Sequence, residues 1–320
     1  MSQFGFASTA DEVLEGKDLA DRTILVTGAY SGLGQETARA LAAKGAHVIL
    51  AGRDATKLSA AADEIATMTG ARVDTLVCDL ASLASVRAAG EEARERFGHL
   101  DILINNAGVM AAPLSRTADG FETQFGTNHL GHFALTRELM PLLERGGRQR
   151  IVNLSSRGHH LAPVDLYDPN FERRAYDPWI AYGNSKTANI LFAVGLEKRF
   201  GGKGIHAYAL HPGGIETNLG RHMSEADRAA LMERIRKNAA RSGQAPQPFK
   251  SIPQGAATTC WVATAEELEG RGGLYAEDCH VAATDDTNPT GGVRSYALDP
   301  ETADRLWTLS EKLTGGPFPA

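Results

Sequence analysis

The chain is short of several things at once, and each shortage narrows what it can be. Its 320 residues include only three cysteines, Cys78, Cys260 and Cys279. Their odd number, together with an N-terminal Met-Ser-Gln-Phe-Gly-Phe that lacks the basic-then-apolar pattern of a signal peptide, leads us to expect reduced thiols in a cytoplasmic protein rather than a disulfide framework. Cys78 and Cys260 lie in apolar runs and read as core residues. No window of about 20 residues is free of charges, so no integral membrane segment is expected. Positive charge is in deficit, with 33 Lys and Arg against 39 Asp and Glu. The basic residues are scattered rather than striped, which gives no footprint for a nucleic-acid backbone. No Pro- or Ser-rich linker divides the chain and no internal repeat is visible. With 42% hydrophobic residues, this length suits one α/β domain with a small appendage. Ten histidines include His129, His132, His159 and His160. No cysteine or carboxylate stands beside them at a zinc spacing, so no metal is expected.

What is present is an alternation. Short, continuous apolar runs recur at Thr23–Val26, His47–Leu50, Val73–Val77, Ile102–Ile104, Ile151–Leu154 and His206–Leu210, with a weaker one near Leu274. Helical patterns separate them: Leu33–Lys44, Thr56–Thr69, Leu83–Phe97, a long one over Phe121–Glu144, Trp179–Phe200 and Pro253–Ala265, with a terminal helix over about 300–313. Strands that are apolar throughout, alternating with helices, predict a doubly wound, mainly parallel seven-stranded sheet of Rossmann type with helices on both faces. The expectation is one domain over 1–320 with its core at about 20–280. Two stretches exceed what that fold needs, 157–177 and 223–251, and both are expected to rim the substrate side, the second as a lid.

The most informative stretch is Thr27-Gly-Ala-Tyr-Ser-Gly-Leu-Gly34, a glycine-rich turn joining the first strand to the first helix. Gly28 allows the sharp turn, Gly32 the close approach of a pyrophosphate, and Gly34 the packing of helix on strand. The helix N-terminus then meets the phosphates with free N–H groups. Four residues apart in a helical pattern, Tyr182 and Lys186 share one face. For the phenol to exchange a proton near neutral pH its ionised form must be favoured, and Lys186 is the cation placed to do so. Ser156, after a buried strand, can orient a substrate oxygen, with Ser155 as its competitor. Where an NAD-selective enzyme places an acid after the second strand, this chain has Gly52 followed by Arg53, whose fork suits a 2′-phosphate. NADP is therefore expected, with NAD as the alternative because Asp54 follows directly.

The spacing G-x-x-x-G-x-G, with Asn105-Asn-Ala-Gly108, Asn128, Ser155-Ser156, Tyr182-x-x-x-Lys186 and His211-Pro-Gly213 in order, resembles the short-chain dehydrogenases/reductases over about residues 20–280. The long interval between Ser156 and Tyr182, with His47-Val-Ile-Leu-Ala-Gly-Arg-Asp54, Ser185-Lys-Thr-Ala-Asn-Ile-Leu191 and Asp304-Arg-Leu-Trp-Thr-Leu-Ser310, is similar to the retinol dehydrogenase branch and the related WW-domain-containing oxidoreductases, whose membrane-anchoring N-terminus is missing from this sequence. The resemblance implies hydride transfer between a nicotinamide cofactor and a hydrophobic alcohol or its ketone or aldehyde, steroid-like, retinoid-like or long-chain. Tyr182 would be the acid/base, Ser156 and Lys186 its partners, and Asn128 the holder of a relay water to Lys186. It implies a cofactor bed of Gly28, Tyr30, Ser31, Gly32, Leu33, Gly34, Arg53, Asp79, Leu80, Asn105, Ala107, Gly108, Tyr182, Lys186, Pro212, Gly213, Ile215 and Thr217, and a homodimer or homotetramer. Two rivals stay open: a catalytically silent dinucleotide-binding regulator, against which both Tyr182 and Lys186 speak, and an NADPH-dependent C=C reductase. The latter chemistry goes with an additional active-site cysteine, and neither Cys260 nor Cys279 is placed for it.

Overall fold

The computed structural model describes residues 3–243 and 245–319. Eight strands, β1 (Thr23–Thr27), β2 (His47–Gly52), β3 (Val73–Val77), β4 (Ile102–Asn105), β5 (Arg150–Leu154), β6 (His206–His211), β7 (Leu274–Glu277) and β8 (His280–Val281), form one sheet in the order β3-β2-β1-β4-β5-β6-β7-β8. Every pairing is parallel except β7 with β8. The expected count of seven strands is thus corrected to eight. The addition is a two-residue return at the sheet edge, too short to carry an apolar signature. β1, β4 and β5 are buried along their whole lengths, as strands covered on both faces must be.

Two apolar layers lie on the two faces. One joins Ile24, Val26, Val48 and Leu50 to Leu41, Leu58 and Trp261. The other joins Leu25, Ile49, Leu103 and Ile151 to Val86, Phe133, Phe192 and Trp307. Odd and even residues of each central strand feed opposite layers, which follows from the two-residue side-chain period. The core does not stop at about 20 and 280 as expected. Ala10 and Val13 from the four-residue helix Ala10–Val13, with Leu14 at its C-cap, pack into the first layer, and Trp307 and Phe318 into the second. The short helix is held by a Thr9–Glu12 capping box, a local signal that needs no long periodic run.

The long helix expected over 121–144 is broken. An α-turn at Thr123–Phe125 passes into a π-turn at Gly126–Leu130 and then into the α-helix Gly131–Leu143. Asn128 sits inside the π-turn, and such bulges re-aim side chains that a regular helix would turn away. The Met223–Ser251 segment contains the helix Glu225–Arg241, opened by a Ser224–Asp227 capping box. In the 157–177 segment only Arg157–Leu161 is regular, as a 3-10 turn.

Candidate active site

A large cavity of about 1550 Å³ runs along the carboxyl ends of the central strands. At one end the chain turns at Gly28, whose φ of +65° is left-handed. A Cβ on Gly34 would fall 2.5 Å from the Gly28 carbonyl oxygen, so the helix can start this close to the strand only with glycine there. That helix, Gly32–Ala42, begins at Ser31, whose side chain makes no capping bond. By contrast Asp54, Ser82, Asp177, Ser224, Ser251 and Asp299 each cap their own helix with a side-chain oxygen. The helix start that borders the cavity thus keeps its N–H groups free of a side-chain cap, which is what a phosphate-bearing ligand requires. The residues present fit a dinucleotide.

Of the expected cofactor bed, Gly28, Tyr30, Ser31, Gly32, Leu33, Gly34, Arg53, Asp79, Leu80, Ala107, Gly108, Pro212, Gly213, Ile215 and Thr217 all border this cavity, as do Tyr182 and Lys186. Asn105 does not and is corrected: its amide is buried in the sheet, donating to Thr136 Oγ1 (3.2 Å) and Asn153 Oδ1 (2.8 Å). Its neighbour Asn106 faces the cavity and donates to the Thr27 carbonyl (2.7 Å). As the last residue of β4, Asn105 takes the alternation that points inward. Asp54, which weakened the reading of Arg53, has another task. It caps the helix Ala55–Thr69 and pairs with Lys57 Nζ at 3.1 Å. Lys57 borders the cavity beside Arg53 and Tyr30, a second cation there that the sequence reading missed. Its signal was the Asp-x-x-Lys pair of an N-cap.

At the other end Tyr182 and Lys186, both 3% exposed, project from the helix Pro178–Phe200. Burial pushes the Tyr182 phenol up to about 12, offset in part by a hydrogen bond with the Ser156 hydroxyl, and pushes the Lys186 ammonium down to about 8. The expectation that Lys186 holds the phenol low is therefore corrected for the protein by itself: desolvation is the largest cause at the phenol and the sole one at the ammonium. Lys186 Nζ donates to the Leu154 carbonyl at 2.9 Å, which leaves further donors for the cavity. Ser155 donates to the Lys186 carbonyl (2.8 Å) and is buried in the helix contact. Both serines border the cavity, but the Ser155 hydroxyl is spent on the Lys186 carbonyl, whereas the Ser156 hydroxyl accepts from the Gly158 N–H at 3.0 Å and meets Tyr182, so the geometry favours Ser156 over its neighbour. Gly158 was missed from sequence: a Cβ there would stand 2.6 Å from the Tyr182 ring, so this position fixes how the ring lies.

Asn128 lies behind the cavity wall rather than on it. Its Oδ1 accepts from Val109 N–H (2.8 Å), and its Nδ2 donates to the Val109 carbonyl (2.9 Å) and to Ser185 Oγ (2.9 Å). Both amide donors are taken, which leaves Oδ1, near Gly108 and Lys186 Nζ, as the side-chain atom open to a relay water. The Asn128 carbonyl accepts from His132 Nδ1 (2.9 Å), whose Nε2 meets Thr27 Oγ1 at 2.9 Å. His129 meets Ser310 Oγ at 2.8 Å. Burial holds His129 near 3 and His132 near 4, so both are neutral core members.

The two inserts differ in what they rim. Met223, Leu231, Met232 and Ile235 border the cavity, and Arg234 stacks on Trp179 with 4.7 Å from guanidinium to ring centre. From 157–177 only Arg157, Gly158, His160 and Leu161 do so. The remainder is corrected: Arg174 pairs with Asp165 (3.4 Å) and Asp168 (3.8 Å), and Tyr176 donates to Ala112 O and Glu122 Oε1, so it packs against the segment around Glu122. Cys260 and Cys279 are buried away from the cavity, while Cys78, also buried, borders it at the end of β3.

The family model described as short chain dehydrogenase matches residues 22–228. The chain belongs to the short-chain dehydrogenases/reductases. Within that family it is 42% identical over 315 residues to the short-chain dehydrogenase/reductase prx1 of Penicillium roqueforti, covering 95% of this chain and 89% of that one. It is 40% identical over 299 residues to human retinol dehydrogenase 12, covering 93% and 87%. Among solved structures it is similar to an uncharacterized protein from Mycobacterium Paratuberculosis (36% identical, TM-score 0.73, covering 98% of this chain and 100% of that one) and to a short chain dehydrogenase from Burkholderia cenocepacia J2315 in complex with NADP (27%, 0.63, 81% and 96%). The short-chain dehydrogenase/reductase is thus an oxidoreductase of the retinol dehydrogenase-like branch that uses a nicotinamide dinucleotide. Among the described residues no helix is long and apolar enough to cross a membrane.

Proposed function

We propose that this enzyme interconverts a hydrophobic secondary alcohol and its ketone with NADP. The observation that carries the reading is the meeting of Tyr182, Ser156 and Lys186 in the same cavity that the glycine turn cradles, beneath the apolar residues of the Glu225–Arg241 helix. The dinucleotide, when bound, accepts or returns the hydride. In oxidation the carbinol C–H bond breaks, its electron pair leaving with the hydrogen, while the hydroxyl proton passes to the Tyr182 oxygen. In reduction Tyr182 gives the proton back to the carbonyl oxygen. Ser156 holds that oxygen by hydrogen bonding, and Lys186 offers its free donors to the cofactor ribose. Arg53 and Lys57 support NADP over NAD, since two cations border the position where a 2′-phosphate would lie and Asp54 is turned to Lys57. Asn128 keeps the Val109 backbone and Ser185 in place around Lys186 and offers Oδ1 to a relay water.

The test is a matrix of NAD and NADP against steroid, retinoid and aliphatic alcohols and ketones, followed by nicotinamide absorbance. Turnover of bulky apolar alcohols with NADP supports the reading. No turnover of any alcohol or ketone, with conversion only of C=C substrates, would replace it.

A further inference from the structure

The loop that follows β6 is held from behind by one lysine. His211 ends β6 opposite Glu277 of β7, so the loop 212–217 and the turn 278–279 leave the same end of the sheet side by side. Lys250 lies between them. Its side chain is 1% exposed, its Nζ meets Asp278 Oδ1 at 2.5 Å, and the same ammonium stands 4.9 Å from the centre of the Phe6 ring. The Lys250 backbone N–H donates to the Gly214 carbonyl at 2.8 Å. Gly213 has a φ of +107°, and a Cβ there would fall 2.7 Å from Lys250 Cδ and 2.9 Å from Cε. The lysine stem therefore fills the place of the side chain that Gly213 lacks. Gly213, Gly214, Asp278 and Phe6 border the cavity, whereas Lys250 lies behind that wall.

Stability alone is a poor account of this pair. A buried lysine is costly to desolvate, and apolar side chains of similar volume commonly replace a buried ion pair at no loss. What the pair supplies is a fixed position. Its acidic half is itself fixed: Asp278 and Cys279 take φ values of +46° and +57°, which residues with a side chain seldom adopt, and the Cys279 N–H is held by Thr258 Oγ1 at 3.3 Å. Thr258 belongs to the helix Ile252–Thr264, which starts two residues after Lys250. Strained backbone of this kind persists where the surroundings over-determine it, and it gathers at ligand sites.

The loop so held spans the two ends of the cavity. Before it, the Leu210 carbonyl accepts from the Ser155 N–H at 2.8 Å, beside the catalytic serine, and at its far end Thr217 Cγ2 stands 3.8 Å from where a Cβ on Gly32 of the glycine turn would lie. Resting on the reading above in that the reacting ring of the dinucleotide meets Tyr182, we propose that Lys250 and Asp278 are positioning residues for the nicotinamide half of the cofactor. The ion pair holds the lysine stem against Gly213, and the stem and the Lys250 N–H together set the Gly213 and Gly214 backbone that this half runs along. Lys250 acts through those two glycines and touches no ligand.

The experiment is calorimetric titration of the full-length protein with NADPH and with 2′,5′-ADP, which carries the adenosine half alone, so that binding is read without turnover. Lys250→Met keeps an apolar stem and loses the ion pair, and Asp278→Asn loses it from the other side. Each should weaken NADPH about tenfold and 2′,5′-ADP by less than about twofold. Lys250→Arg should regain part of the NADPH affinity, and the double variant should lose no more than the worse single one, because the pair acts as a unit. If the unaltered protein prefers NAD, NADH and 5′-AMP take the place of the two ligands. A parallel loss of both ligands would make the pair a general brace of the fold, and unchanged NADPH affinity would free it of any part in binding; either result overturns the proposal. Asp278, at the cavity edge, keeps the test decisive where Lys250→Met does not fold. Selective loss of NADPH in a protein that turns over no alcohol or ketone would leave the positioning pair standing and remove the alcohol/ketone reading.

Discussion

The two ends of the cavity are built on different principles. At the cofactor end the walls are backbone: Gly28, Gly34 and the turn after β4 bring main-chain atoms against the ligand space, and little can be altered there without moving a strand. At the substrate end the walls are side chains on the Arg157–Leu161 turn and the Glu225–Arg241 helix, the latter mostly exposed and carrying one buried residue, Ala239. A ligand shared by many enzymes is met by a rigid frame, and one peculiar to this enzyme by replaceable side chains on a scaffold. If that division holds, substitutions at the two ends should separate cleanly into effects on turnover or substrate and effects on cofactor.

The strongest way to sharpen the comparison is Tyr182→Phe, which removes one hydroxyl and little packing. Turnover should fall by about 10²-fold or more, the range of general acid–base catalysis, while the cofactor Kd measured by fluorescence titration stays nearly unchanged. Retention of a tenth of the rate would take the acid/base role from Tyr182.

Acid should next break the catalytic side of the molecule through its buried histidines. His129 and His132 keep pKa values near 3 and 4 when folded, against 6.5 in the unfolded chain. Their folded values are depressed, so the unfolded state takes up protons first as pH falls below 6.5, and stability drops with pH from there toward 3 to 4. At pH 5 each should cost about 2 kcal/mol. Urea unfolding between pH 7.5 and 5 should show this loss, and His129→Gln should make the dependence shallower. An unchanged pH slope in that variant would show that His129 is not the titrating group.

The cofactor end should respond to charge. Arg53→Ala should weaken NADP by roughly 1.5 to 3 kcal/mol, the value of a hydrogen bond to a charged group, and leave NAD nearly unaffected. Lys57→Ala should act in the same direction and less strongly. Equal losses for both cofactors would make Arg53 structural and blur the contrast between the ends.

The smallest effect is expected at the contact that ties helix Glu225–Arg241 to the tyrosine helix. Arg234→Ala removes the stacking on Trp179, about 1 kcal/mol at a partly buried site. KM for bulky substrates should rise severalfold with no change in cofactor affinity. If KM for small and large alcohols moves alike, that helix does not select the substrate.

The sequence by itself determined the sheet and the cofactor frame, because continuous apolar strands, glycines at fixed offsets and a Tyr-x-x-x-Lys pair are local patterns with one geometric outcome each. It also placed Ser156, Tyr182 and Lys186 in one site through their order along strand and helix. The tertiary structure decided what depends on long-range burial and facing. The alternation at the end of β4 set Asn105 inward and left Asn106 at the cavity. The N-cap of a neighbouring helix took Asp54 away from the adenosine side and left Lys57 beside Arg53. A π-turn aimed Asn128 at Val109 and Ser185, and desolvation, which no local pattern reports, raised the phenol of Tyr182 instead of lowering it.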